Sequence, residues 1–270
     1  MDAVDAAVEV ARAHGIRCGR PIVLGEAWHV LVHLAPAPLV ARVTSGAPGV
    51  NSADVEQELR VARHAARSGA PVVWPSDLLP PGPHRHGGHT LVFWRYLVQD
   101  GAVDAAAAGR GLRTLHESLA DYEGDLPRAG RADEVQAMLE PFPPSDDVEL
   151  LRELASRELP EGQALHGDAH LFNCIQTRDG PIWHDLETAC RGPREYDLAA
   201  LVLSDRSGEP DPEARLAPAA YGDFDAELLD RAVPVYAAWI AASFMAAVAR
   251  RPDAAAALER QLQFLRPYGR

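Results

Sequence analysis

The chain has 270 residues, enough for one large domain or two smaller lobes with a substantial core. At 47% hydrophobic and 24% charged residues it has a globular composition, and a formal net charge of −13 argues against a surface that coats nucleic acid or anionic membrane. All 26 Lys+Arg positions are Arg, which excludes a Walker A loop and a Schiff-base lysine.

Residues 2–14 read as an amphipathic helix: Val4, Val8 and Ala11 share a face, Asp2 caps it and Gly15 stops it. Short β-like runs follow at 22–24, 30–34 and 39–43, the last two joined through Pro36-Ala37-Pro38. Residues 52–67 return to helical spacing, with Val55, Leu59, Ala62 and Ala66 on one face. The Pro- and Gly-rich stretch 80–88 reads as a loop, and 90–94 as a strand. Beyond about residue 98 the pattern is mostly helical, marked by Leu112, Leu115 and Leu119, then by Leu150, Leu151 and Leu154, with a Pro-rich break at 141–144. A β interlude carries the tight-turn pair Asp179-Gly180. Helices are expected again at 197–203, 225–249 and 253–265, with a loop at 207–218.

The uncharged run 232–249 contains Pro234, Tyr236 and Ser243 and reads as a buried helix rather than a membrane span. The N-terminus lacks the basic and apolar regions of a signal peptide. Three cysteines (18, 174, 190) with no C-x-x-C spacing suit a reduced, cytoplasmic compartment.

The densest chemistry lies at 166–173, His-Gly-Asp-Ala-His-Leu-Phe-Asn, followed by Asp185 in Ile-Trp-His-Asp-Leu-Glu and by Tyr196-Asp197-Leu198-Ala199. The spacing His-x-Asp-x-x-x-x-Asn is similar to that of kinase catalytic loops. The chain resembles the aminoglycoside phosphotransferase and choline kinase group over roughly residues 20–205, most specifically at 164–200. The resemblance implies an α+β, two-lobed protein-kinase-like fold. The small β-rich N-lobe would span 1–97 and the larger helical C-lobe 98–270, with a cleft between them.

The same resemblance implies the residue roles. Asp168 is the expected base for an attacking hydroxyl. Asn173 and Asp185 are the expected ligands of Mg2+, and Asp197 braces the catalytic loop. Gly25, in the segment from Leu24 to Val30, falls where the group has its nucleotide-covering loop. Arg42 takes the third-strand position where kinases place Lys, and a guanidinium there can grip phosphate oxygens. Its partner should be Glu58, about 70° from the centre of the apolar helix face, rather than Glu56 at about 90°. The strand at 90–97, with Trp94 and Tyr96, corresponds to the hinge whose backbone pairs with adenine. His116 and His170 are expected to brace structure, and Glu187 is a further candidate for metal or acceptor.

These expectations amount to an enzyme that moves the γ-phosphate of ATP or GTP to a hydroxyl of a small acceptor, with aminoglycoside-like and other cationic compounds among the candidates. Only eleven residues separate Asp185 from Asp197, which leaves no room for a peptide platform. Aminoglycosides, other cationic antibiotics, amino alcohols and sugars all stay open as acceptors, as do the choice of nucleotide and the oligomeric state. Acids such as Glu187, Glu195, Asp205, Glu209, Asp223 and Asp225 could favour amines or form a solvated face. Two rival readings stand beside this one. His166, Asp168 and His170 would face one way on a strand and, with His184 and Asp185, suggest a two-metal hydrolase. The third is an inactive nucleotide-binding module, although Asp168, Asn173 and Asp185 are all present.

Overall fold

Asp2 accepts a hydrogen bond from the amide of Asp5 and starts the first helix, α1 (Ala3–Ala13). Then come β1 (Cys18–Glu26), β2 (Val30–Pro36), β3 (Leu39–Ser45), α2 (Ser52–Arg67), β4 (His84–His86) and β5 (His89–Arg95). The chain continues through α3 (Ala105–Leu119), α4 (Ala132–Leu139), α5 (Asp146–Ala155), β6 (Gln163–Leu165), β7 (Cys174–Thr177), β8 (Gly180–Trp183) and β9 (Cys190–Gly192). It closes with α6 (Glu195–Arg206), α7 (Leu216–Tyr221), α8 (Ala226–Ala247) and α9 (Ala254–Leu265). This computed structural model describes residues 1–26, 29–45, 52–208, 215–249, 251 and 254–269. It contains two compact units, Met1–Ala102 with Ile175–Glu187, and Val103–Cys174 with Thr188–Arg270.

In the first unit five antiparallel strands form a sheet of order β1-β2-β3-β5-β4. Side chains alternate across β3 and β5, and the alternation decides what each face does. Leu39, Ala41, Val43, Leu91 and Phe93 are fully buried in the cluster that includes Ala6, Ala7 and Ala11 of α1. Arg42 lies between Ala41 and Val43, in register with Val92, so both face the other way. There Val92 packs with Val55 and Leu59 of α2. The same alternation that builds the core therefore aims Arg42 at α2.

Two details differ from the sequence reading. β1 is longer than residues 22–24, because as an edge strand it carries exposed apolar residues (Ile22, Val23, Leu24) with no inward-outward signature. Within the segment read as a loop, His84–His86 pairs with β5 through a turn whose Gly87 and Gly88 both have positive φ (57° and 85°).

Residues 175–187 belong with the first unit although they follow residues 103–174 of the second in sequence. Trp183 explains this. Its side chain is fully buried, its amide donates to Pro71 O (2.7 Å), and its carbonyl accepts from the Val73 amide (2.9 Å). Gln176 O accepts from the Asp100 amide (2.8 Å). The first crossing lies at 102/103, and the β7–β8 hairpin returns to the N-terminal unit.

The second unit is helical around α8, which packs against α4, α5, α6 and α9. Asp104, Ser145 and Asp225 cap α3, α5 and α8 with side-chain oxygens. Among the described residues α8 is the one helix long and apolar enough to cross a membrane; 61% of its most apolar window is buried inside the protein. The eight-residue α4 escapes the sequence reading because only Val135 and Leu139 of it are buried, too few to show a period. α7 begins inside the segment read as a loop at 207–218, of which 209–214 lie outside the described residues.

Candidate active site

β6 pairs with β9 and delivers the chain to His166. Gly167 then turns with φ +89°, and a Cβ built there would sit 1.9 Å from Thr188 O, so only glycine fits. Asp197, fully buried in the first turn of α6, holds this turn. It accepts from the amides of His166 (2.8 Å to Oδ2) and Gly167 (2.7 Å to Oδ1), and His116 Nε2 lies 2.8 Å from Oδ2. His116 Nδ1 in turn meets the Tyr221 hydroxyl at 2.8 Å. Asp197 and His116 therefore brace the loop's backbone from beneath.

Asp168 follows with a crowded carboxylate. Oδ1 accepts from the hydroxyl of Tyr236 in α8. Oδ2 lies 3.3 Å from Asn173 Nδ2 and 3.3 Å from His170 Nε2. Burial works to raise the Asp168 pKa, but the neighbouring His170 and the hydrogen bonds from His170 and Tyr236 outweigh it and hold the carboxyl below its usual range. Asn173 ends a short 3-10 turn (Leu171–Asn173) and donates through Nδ2 to Asp168 O (2.8 Å). Spending its N–H groups this way leaves its side-chain carbonyl oxygen as an acceptor or metal ligand.

The first unit holds a second constellation. Arg42 forms a two-point ion pair with Glu58, NH1 to Oε1 at 3.0 Å and NH2 to Oε2. Its NH1 also reaches Asp185 Oδ1 (3.0 Å) and Glu187 Oε2 (3.2 Å). His29 joins through Glu187 (Nε2 to Oε2, 3.1 Å) and Thr44 (Nδ1 to Oγ1, 2.8 Å). Burial resists the Arg42 charge, yet Glu58, Glu187 and Asp185 together raise its pKa above the ordinary value. Three carboxylates carry more negative charge than one guanidinium neutralises. Burial, against the pull of Arg42 and with the push of Asp185 and Glu187, accordingly moves the Glu58 carboxyl up to about 8. Asp185 has φ +67°, a left-handed conformation tolerated better by Asp than by most residues. Asp185 and Glu187 are each about one-third exposed, and their carboxylates are hard oxygen donors of the kind Mg2+ prefers.

The other expected residues separate from these two sets. Gly25 lies within β1 at a register shift, and its neighbours Ala27 and Trp28 lie outside the described residues. Trp94 packs beside Val55, Leu59 and Val92. Tyr96 stacks on His33 (3.7 Å, 5°), and its amide donates to Pro38 O (3.0 Å); the Arg95 amide donates to Trp74 O (3.0 Å). These two amides are occupied within the protein. Of the acids that could favour an amine, Glu195 accepts from the Asp225 amide, Asp205 pairs with Arg215, and Asp225 caps α8, so each of these three has a structural task.

The strand that the two-metal reading requires is not formed. β6 stops at Leu165, Gly167 turns left-handed, and the Asp168 amide lies 3.3 Å from His166 Nδ1 as its donor partner. Among the described residues no three His, Cys, Asp or Glu side chains converge as a metal cluster. Sequence reasoning missed Tyr236. The signal was a lone phenol inside the uncharged run 232–249, where a buried hydroxyl must find a partner off its own helix.

Residues 26–239 match the APH family model, the phosphotransferase enzyme family. Solved structures share the fold. Amicoumacin kinase hAmiN, in complex with AMP-PNP, Ca2+ and Ami, superposes with a TM-score of 0.73 at 14% identity, covering 98% of this chain and 94% of that one. Choline kinase LicA from Streptococcus pneumoniae gives 0.70 at 15% identity, covering 99% and 100%. The GDP and kanamycin complex of APH(2")-IIia gives 0.67 at 14%, covering 98% and 99%. These likenesses place the chain in the protein-kinase-like fold, with an antiparallel N-terminal sheet and a helical remainder. No curated protein sequence matches it.

Proposed function

Because the chain belongs to the phosphotransferase enzyme family, we propose that it transfers the γ-phosphate of ATP or GTP to a hydroxyl of a small-molecule acceptor. The observation that carries this reading is Asp168. It is a carboxylate held in its ionised form on a loop whose backbone is fixed by Asp197, with Asn173 bonded to it. Asp168 takes the acceptor's hydroxyl proton as the acceptor oxygen forms a bond to the γ-phosphorus. The bond from that phosphorus to the β–γ bridging oxygen breaks, and the nucleoside diphosphate leaves with the electron pair.

Asn173 and Asp185, with Glu187 as a further oxygen donor, would hold Mg2+. The ion, when bound, supplies charge neutralisation on the phosphates. Arg42, which Glu58 holds in orientation and which Asp185 and Glu187 also engage, would meet the phosphate oxygens of a bound nucleotide. The acceptor is taken to be small because the chain passes from Asp185 through a short 3-10 turn and β9 directly to α6, with no platform for a peptide. Two of the solved structures that share the fold, an amicoumacin kinase and a complex with GDP and kanamycin, favour a small acceptor as well. Three free, buried cysteines suit a reducing, cytoplasmic setting.

Thermal unfolding with ATP, GTP or zinc, each with and without magnesium, tests the reading. A nucleotide at 100 times its Kd adds about 2.7 kcal/mol, or about 5–10 °C at this size. A magnesium-dependent shift with a nucleotide is expected; a zinc shift with no nucleotide response would refute it. Asp168→Ala should abolish turnover while nucleotide binding persists, and retained turnover would remove Asp168 as the base.

A further inference from the structure

Tyr236 sits in the middle of α8, is 2% exposed, and spends its hydroxyl proton on Asp168 Oδ1. A phenol that has donated its one proton there cannot also collect the acceptor's proton, so it is not itself a base. Its partner oxygen and the other carboxylate oxygen are treated differently. Oδ1 accepts the hydroxyl's hydrogen bond, while the contacts of Oδ2, from Asn173 and His170, are both 3.3 Å, long for a hydrogen bond. These long contacts leave Oδ2 the more available to take a proton.

The ring is also held. Tyr196 meets it edge-on (5.6 Å, 87°) and Trp239 lies one turn along the helix (6.1 Å). Tyr196 directly precedes Asp197, whose carboxylate fixes the His166 and Gly167 amides. One neighbouring pair of residues on α6 thus anchors both the loop's backbone and the ring that holds the Asp168 side chain. We infer that Tyr236 is a positioning residue that pins Asp168 through Oδ1 and so selects Oδ2 as the oxygen that receives the acceptor's proton. This rests on the proposed phosphotransfer, in which that proton moves to Oδ2 as the new oxygen–phosphorus bond forms and the bond to the bridging oxygen breaks.

Magnesium-dependent ATP hydrolysis, with water as acceptor, provides the probe. Tyr236→Phe should lower kcat about 10- to 100-fold, the size expected for a hydrogen bond to a charged group, with the KM for ATP unchanged. In an Asp168→Asn background the same substitution should cost nothing further, because the residue acts through that carboxylate. An unchanged kcat in Tyr236→Phe, or an equal loss in both backgrounds, would overturn the inference while leaving the base in place. If Asp168→Asn itself keeps full kcat, the base assignment fails and this inference fails with it. A crystal structure of Tyr236→Phe needs no turnover: a rotated or split Asp168 carboxylate is expected, and a carboxylate oriented as here would overturn the role.

Discussion

Replacing Asp197 by Asn keeps the shape of the side chain and changes only what it can accept. In the protein three donors converge on it: the His166 amide and His116 Nε2 on Oδ2, and the Gly167 amide on Oδ1. The best orientation of an asparagine puts its oxygen at the Oδ2 position and retains two of these bonds without charge assistance, at a cost of about 0.5–1.5 kcal/mol each. Its NH2 group then faces the Gly167 N–H, donor against donor, and that buried amide is left unsatisfied for about 1–3 kcal/mol more. Removing a buried charge recovers part of this, so the net loss should be about 2–4 kcal/mol, or roughly 5–15 °C in Tm. Amide hydrogen exchange gives the local readout: protection at His166 and Gly167 should fall, while protection of β3 and β5 in the other unit should not. Unchanged protection and unchanged Tm would refute the claim that Asp197 holds the loop.

Gly167→Ala should destabilise by at least about 2–4 kcal/mol, since it combines a left-handed backbone with a Cβ 1.9 Å from Thr188 O; a Tm within a degree of wild type would contradict the geometry. Asp185→Asn should weaken magnesium-nucleotide binding measured by calorimetry, and an unchanged affinity would count against its metal role. Burial raises the Glu58 carboxyl from 4.5 to about 8 against the pull of Arg42, so below that pH the folded protein takes up a proton there, exchanging the ion pair with Arg42 for a hydrogen bond, where the unfolded chain is ionised. Stability therefore falls as pH rises through that window. Glu58→Gln lacks this titration, so the stability difference between wild type and variant in denaturant should change between about pH 5 and 8; a flat difference would exclude it.

What was legible in the sequence was local and polar. The 166–173 stretch packs the proposed base, an amide and a glycine turn into eight residues, and the 100° step of a helix is enough to turn Glu58 rather than Glu56 towards Arg42. Long-range pairings were not legible. Tyr236 lies 68 residues from Asp168 and no spacing rule connects them. The ties of Trp183 to Pro71 and Val73 join segments over a hundred residues apart through backbone groups that every residue carries. α4 and β4 were too short for a period, and the occupied amides of Arg95 and Tyr96 depend on loops that carry no side-chain signal.

The return of the β7–β8 hairpin to the N-terminal unit has a consequence for the chain as it is made. When residue 102 has been synthesised, the strands β1–β5 are complete but the seat of Trp183 against residues 71–73 is empty. The tryptophan and Asp185 follow about 80 residues later, and at about 5–20 residues per second that is a wait of roughly 4–17 s. During it Arg42 and Glu58 lack their partners Asp185 and Glu187. The N-terminal unit cannot mature on the ribosome before the first segment of the second unit, residues 103–174, has been made, and residues 1–102 expressed alone should behave as an incomplete unit until residues 175–187 are supplied in trans.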